Sequence, residues 1–420
     1  MKPEHKSEII GGLTTFLTMS YIVVVNPSIL SSPGSGMSFS GVMTATVLLC
    51  FSMTLLMGIY AKLPYAVAPG LGINAFFTYT IVIGYGVPWQ QALGIVFWAG
   101  VLFLITSITP IRVKIVQSIP VELRTATAVG IGFFLAFIGL KNAGLIKANP
   151  ETFVQIGAMN GEVLLSLVGL LILLFLYSRK NPFAFIGSIF AITILGILSE
   201  KIRLPSQWVS LPDFNSVFFK LDIIGALKLS LLPALFAIFF TDLFDSISTF
   251  VGVSQATKLV DSQGEPKNLR EGLIVDAFAT LFAGLFGTSS GTAYIESASG
   301  IEAGGRKGLS AVVTAFLFLP LLFISPIASV VPAYATAPVL IFVGYLMFKM
   351  IREIPFDQIE KAIPCFLTII LIPLTFSITQ GILWGIVSHI VMHWIVGKQK
   401  KLQPMVYLIG ACCLGLLWIQ

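Results

Sequence analysis

Apolar stretches of about 17–25 residues, each long enough to cross ~30 Å of hydrocarbon, follow one another along almost the whole chain. Short polar turns separate them. They predict spans near 8–26, 41–61, 66–85, 88–108, 118–140, 162–178 and 182–199. A more polar stretch runs from Glu200 to about Lys220, and further spans follow near 226–257, 268–287, 288–303, 306–326, 334–352, 360–379 and 380–397. In lipid each backbone N–H and C=O must find its partner inside the protein, so these runs are expected as helices. A barrel needs alternating strands, and a run such as Val163–Tyr177 does not alternate. The pattern is that of an all-α polytopic membrane protein with about 14 spans. Seven spans followed by seven more start the second half from the opposite face. That is the arithmetic of two inverted seven-span repeats, at 1–199 and 226–397. Ala126-Thr127-Ala128 opens the fifth span and Ala335-Thr336-Ala337 the twelfth, an echo at matching positions.

Composition agrees. The 420 residues are 56% apolar and 10% charged, with a mean hydropathy of +0.95, so the polar residues are too few to cover a soluble fold. The net charge of +6 does not point to nucleic acid, because Lys and Arg sit singly or in pairs between apolar runs. They carry topology instead. With the N-terminus cytoplasmic, the outer loops hold only Lys141, Lys147, Lys201, Arg203, Lys220 and Lys228 of the 25 basic residues, as the positive-inside rule requires. No small-residue cleavage site follows the opening Lys2-Pro3-Glu4-His5-Lys6, so the first span is expected to be retained. This suggests a multi-pass protein of the inner (plasma) membrane. The four cysteines lie in apolar segments without metal spacing, and packing is their expected role. The apolar tail 402–420 is short for a span and could be an interfacial helix, a tilted fifteenth span or a packing arm.

Two spans are broken. Segment three begins Pro64-Tyr65-Ala66-Val67-Ala68-Pro69-Gly70-Leu71-Gly72-Ile73-Asn74, and prolines and glycines at that density oppose a regular helix. Asn74 stands where a half-helix could begin, as an N-cap or a ligand donor. Segment ten reads Gly287-Thr288-Ser289-Ser290-Gly291-Thr292-Ala293-Tyr294-Ile295-Glu296-Ser297, again small, polar and extended. Breaks at matching repeat positions point to a binding site near the bilayer midplane. Unwound backbone offers free N–H and C=O groups, which suits a flat ligand with donors and acceptors on its edge. Close helix packing is the other use of such glycines, but it needs no Asn74, Tyr294 or Glu296.

Segment eight carries Asp242 and Asp245, three residues apart and so on one helix face. An acid at membrane depth costs about 2.5–3.5 kcal/mol even on an insertion scale, and is kept for ion paths, substrate pairing or proton relays. Asp242, Asp245 and Glu296 are therefore the expected proton carriers, against the alternative of structural hydrogen bonds to broken backbone. Asp276 reads as a tether between helices, Glu302 and Arg306 as a loop-end pair, and Asn26-Pro27 as the end of the first span. His389 and His393 share a face, but without a third ligand they read as packing rather than metal.

At these positions the chain resembles a known family. Thr18-Met19-Ser20-Tyr21-Ile22-Val23-Val24-Val25-Asn26-Pro27, Ala68-Pro69-Gly70-Leu71-Gly72-Ile73-Asn74-Ala75-Phe76-Phe77, Asp242-Leu243-Phe244-Asp245 and Tyr294-Ile295-Glu296-Ser297 look like motifs of the AzgA-like hypoxanthine–guanine–adenine permeases, in the nucleobase/ascorbate transporter superfamily. The resemblance runs from Ser7 to about Gly397. It implies a core of about 8–108 and 226–326 and a gate of about 118–199 and 334–397. It also implies purine nucleobase uptake driven by protons, and a homodimer, as in related members. By motif position, Asn74, Asp242, Asp245 and Glu296 match the family's essential polar residues. Asp245 and Glu296 match the two acids that hold the nucleobase edge. Tyr294 and Ile295 would offer backbone groups to the base, and Phe76 or Phe77 an aromatic face. No cofactor is implied, and the first span lacks the Gln-His pair of the xanthine/uric acid branch.

Three rivals fare worse. An inorganic anion carrier of the same fold, such as one for sulfate or bicarbonate, wants helix N-termini and cationic or neutral donors rather than clustered acids. An enzyme would need a nucleophile–base pair or metal set within the spans, and a channel a continuous polar face.

Overall fold

The computed structural model describes residues 3–109, 120–260 and 266–419. Among them, eight helices are long and apolar enough to cross a membrane: His5–Leu30, Phe39–Ala61, Trp89–Ile108, Val121–Asn142, Gly161–Ser178, Leu229–Ser254, Ala333–Glu353 and Ile378–Ile395. Leu71–Gly84, Ala184–Leu198 and Gly308–Phe323 are shorter and apolar. Leu269–Phe286 and Ile359–Thr375 fill two further expected spans, the first carrying Asp276 inside and the second two internal prolines. The tenth span is reduced to a strand, Gly291–Ala293, and a helix, Ser297–Glu302. Residues 118–119 of the expected fifth span, and Lys2, Arg112 and Lys114 of the inner basic set, lie outside the described residues.

The helices sort into two packing groups. In one, Trp89–Ile108 lies along Leu269–Phe286, and Gly308–Phe318 packs on Pro3–Met19 and Phe39–Leu56. In the other, Val121–Asn142 lies along Ala333–Phe348 and Ile359–Thr375, while Gly161–Ser178 pairs with Ala184–Leu198. Glycines set the closest approaches. A Cβ on Gly72 would collide with the Ile131 side chain of the other group, so the two groups meet tightly beside the third span's break.

Among the described residues four short strands complete the fold: β1 (Val67–Pro69), β2 (Ile146–Asn149), β3 (Phe153–Ile156) and β4 (Gly291–Ala293). β2 and β3 form an exposed hairpin after Val121–Asn142. The linker between the repeats is pinned by Asp213, whose carboxylate accepts from Ser40 at 2.7 Å and Ser216 at 2.6 Å. Burial works to raise that carboxyl, but these hydroxyls and the Ser216 and Asn215 N–H groups outweigh it and hold it below the usual range.

Some sequence expectations need correction. Asn26 and Pro27 do not end the first span. They lie within the helix Ile22–Leu30, and the irregularity comes earlier, at Ser20–Tyr21. Arg306 does not pair with Glu302 among the described residues; its guanidinium donates to the Thr257 and Lys258 carbonyls, closing the end of Leu232–Thr257. The tail forms the helix Pro404–Ile419, which packs on Ile378–Ile395 and ties Trp394 to the Tyr407 hydroxyl at 3.2 Å.

Gly100 tests the packing. A Cβ there would meet the Leu281 backbone nitrogen at 2.4 Å, so Gly100→Leu must push Trp89–Ile108 and Leu269–Phe286 apart. We expect a loss of about 1–3 kcal/mol of stability, read as earlier thermal unfolding in detergent. Gly415→Ala, which meets nothing within 4 Å, should cause no loss.

Candidate functional site

The two broken spans meet each other. β1 and β4 pair antiparallel, Val67 opposite Ala293 and Pro69 opposite Gly291. The ladder extends at both ends, with Gly70 N donating to Ser290 O and Tyr294 N to Ala66 O, each at 2.9 Å. Pro69 has no N–H to give the ladder; the pairing ends one residue later, at Gly70, where the helix starting at Leu71 takes over. Gly287, at φ 95°, ends Leu269–Phe286 and turns the chain into β4. Each break thus satisfies the backbone groups that the other leaves open, as hydrocarbon surroundings demand.

Buried side chains brace this crossing. Asp276 Oδ2 accepts from Ala293 N at 3.1 Å and from the Thr292 hydroxyl at 3.5 Å. Thr280 donates to Asp242, and its oxygen lies 3.1 Å from Ser290 Oγ. Asn74 Oδ1 accepts from Ser289. Asn26 reaches Thr46 at 2.6 Å and Thr288 at 2.9 Å. All four of these amide and acid side chains are fully buried. Asn74 is not a cap, since the helix Leu71–Ala75 is capped by Gly70. Asp276 thus ties its own helix to β4 and, through Ser246, to the neighbouring helix Leu232–Thr257.

Beyond β4 the arrangement opens. Glu296 and Asp245 are only half-buried, and they stand close enough for the charge of one to act on the other. Glu296 Oε1 accepts from the Tyr21 hydroxyl at 2.7 Å. Ile295 is 62% exposed, and its N–H has no hydrogen-bond partner among the described residues. Asp245 is thus near Glu296 and the Ile295 backbone, and all three are more open than the crossing behind them. Asp242 and Asn74 sit behind them, bound to the crossing. The Tyr294 N–H is occupied by Ala66, and its hydroxyl donates to Pro69 O. Phe76 and Phe77 are fully buried, so neither presents an open face.

Sequence reasoning missed Tyr21 and its aromatic neighbours. Tyr21 stacks on Phe185 with ring centroids 4.9 Å apart and planes at 26°. Phe185 comes from the other packing group, where Tyr177 and Phe342 back it. A phenol inside an apolar span was a usable signal for Tyr21. No local pattern could have placed Phe185 against it. His389 and His393 are buried with ring centroids 4.2 Å apart and planes tilted by 47°, and no metal-holding group of three or more ligands occurs among the described residues.

The profile described as Permease family, Xan_ur_permease, matches residues 6–384. Adenine permease AdeP of Escherichia coli (strain K12) is 40% identical over 406 residues, covering 96% of this chain and 91% of that one. Guanine/hypoxanthine permease PbuG of Bacillus subtilis (strain 168) is 38% identical, covering 96% and 94%. The transmembrane domain of a cyanobacterial bicarbonate transporter, BicA, superposes with a TM-score of 0.68 over 92% of this chain and 98% of that one. At 18% identity this last likeness is one of fold alone.

The bracing of the crossing is testable at Thr280. Thr280→Val removes the donor to Asp242 and leaves a buried acid short of a partner, so we expect a loss of about 1–3 kcal/mol, seen in thermal melts. Thr280→Ser keeps the hydroxyl and should melt near wild type.

Proposed function

The chain belongs to the Permease family, Xan_ur_permease, as an AzgA-like nucleobase permease, and from that premise we propose that it carries hypoxanthine, guanine and adenine inward by symport with protons. In this reading it is a secondary transporter of the inner membrane with a cytoplasmic N-terminus.

The observation that supports it best is the pair Asp245 and Glu296 beside the unpartnered Ile295 N–H. A purine edge offers ring and exocyclic N–H groups next to N or O acceptors. A carboxylate can accept from two adjacent N–H groups, the backbone N–H can donate to a ring acceptor, and a second, protonated carboxyl can donate as well. Charge-assisted bonds of this kind are about twice as strong as neutral ones. A proton taken up first removes one negative charge from a site with two acids, so it favours burying the base. By linkage the base favours the proton equally. Asp242 and Asn74 then serve from behind. They hold the β1–β4 crossing in register, so that Glu296 and Ile295 point outward from it, and Asp242 is the third acid through which a proton can pass.

In this mechanism the group containing β1 and β4 is the core, at about 8–108 and 226–326, and the group built on Val121–Asn142 and Ala333–Phe348 is the gate, at about 118–199 and 334–397. Movement of one against the other exposes Asp245 and Glu296 to each side in turn. The fold shared with a bicarbonate transporter does not favour anion carriage here, because these two carboxylates repel an anion.

Uptake of radiolabelled hypoxanthine tests this reading. Glu296→Gln should abolish uptake while the protein still reaches the membrane. Wild-type uptake by that variant would remove Glu296 from the mechanism. In competition, unlabelled adenine and guanine should reduce the signal, and uracil should leave it unchanged.

A further inference from the structure

Tyr21 is 1% exposed, yet it lies next to the half-buried Glu296 and holds it by a 2.7 Å hydrogen bond. An aromatic ring lies against one face of Tyr21. Phe185 covers its face in a near-parallel stack, 4.9 Å between centroids. The two residues stand on different packing groups: Tyr21 precedes the helix Ile22–Leu30, and Phe185 is in the first turn of Ala184–Leu198. Phe185 is firmly seated from behind. Phe342 lies 5.9 Å away, and Tyr177 bridges the two at 6.4 Å from Phe185 and 4.6 Å from Phe342. Relative movement of the groups would therefore carry Phe185 away from Tyr21 as part of a rigid aromatic block, while Tyr21 stays with Glu296.

We propose that the Tyr21 ring is the surface on which a purine base stacks, and that Phe185 occupies that surface as a stand-in for the base whenever the site is empty. The proposal rests on the purine-permease reading above. Two observations carry it. A flat ring is already stacked on Tyr21 in the offset, near-parallel manner that aromatic pairs favour. The hydroxyl of the same Tyr21 touches the carboxylate proposed to hold the base edge, so a base laid in Phe185's place has its edge directed at Glu296. Phe185 makes no hydrogen bond with its side chain, so exchanging it for a base exchanges stacking for stacking and adds the edge contacts. A molecule without a flat aromatic ring, such as a small inorganic anion, gains nothing from displacing it. Phe185 in this account sets specificity by competition, and Tyr21 contacts the substrate.

Equilibrium binding of radiolabelled hypoxanthine to the purified full-length protein in detergent, run beside uptake in cells, tests the proposal. Phe185→Ala removes the competitor, so hypoxanthine should bind roughly two- to tenfold more tightly, with a lower uptake KM and a lower maximal rate. Phe185→Trp, which stacks more strongly, should weaken binding. Tyr21→Phe keeps the face and should bind within a few fold of wild type, whereas Tyr21→Leu should bind about tenfold or more weakly. Weaker binding in Phe185→Ala that Phe185→Leu restores would show ordinary packing and overturn the proposal, as would wild-type binding by Tyr21→Leu. If wild-type protein binds no purine at all, the functional reading itself fails, a result distinct from either of these.

Discussion

The constraint on which the rest depends is that hydrocarbon offers no partner to an open peptide group. Two spans of this chain are broken inside the membrane-spanning bundle, and each would be intolerable alone. They are tolerable because they face each other and pair. The short ladder between Val67–Pro69 and Gly291–Ala293 is therefore the keystone of the site. Asp276, Asp242, Asn74 and Asn26 are all turned toward the two breaks and bind the hydroxyls and N–H groups that flank it. Their burial is costly, and the hydrogen bonds that offset the cost also fix the crossing in a single register.

From that fixed crossing the working groups follow. Because β4 is held on one side by β1 and on the other by Asp276, the residues just past it leave the ladder at a defined place. Glu296 and the Ile295 N–H emerge there, opposite Asp245 on a continuous helix. Behind the ladder Asp242, Asp276 and Asn74 each give one side-chain oxygen to the crossing, and in front of it the Ile295 N–H keeps no protein partner among the described residues. This division explains why acids of the same span differ so much in exposure, Asp242 wholly buried and Asp245 half open.

The architecture was legible in the sequence because lipid imposes a simple rule on it. Span after span could be counted, the breaks at segments three and ten announced themselves through Pro69, Gly70, Gly287 and Gly291, and the motif resemblance pointed to the family that the comparisons show. The internal wiring was less legible. Asp242 and Asp245 share a helix face in the pattern, yet only the folded chain reveals that Thr280 and Ser290 crowd the first and not the second. Tyr294 looked like a backbone donor, but its N–H lies in the ladder. Phe76 and Phe77 looked like an aromatic surface, and close packing buries them. The aromatic contact that does sit beside Glu296 joins Tyr21 to Phe185, residues 164 positions apart, and a separation of that size leaves no trace in local periodicity.

The central claim is that purine and proton share this site and move together. Purified protein in liposomes loaded with a pH-sensitive dye puts it to the test most directly. With no imposed gradient and the membrane potential clamped, adding hypoxanthine outside should acidify the lumen as the base enters. Hypoxanthine accumulating inside with no change in luminal pH would contradict the account.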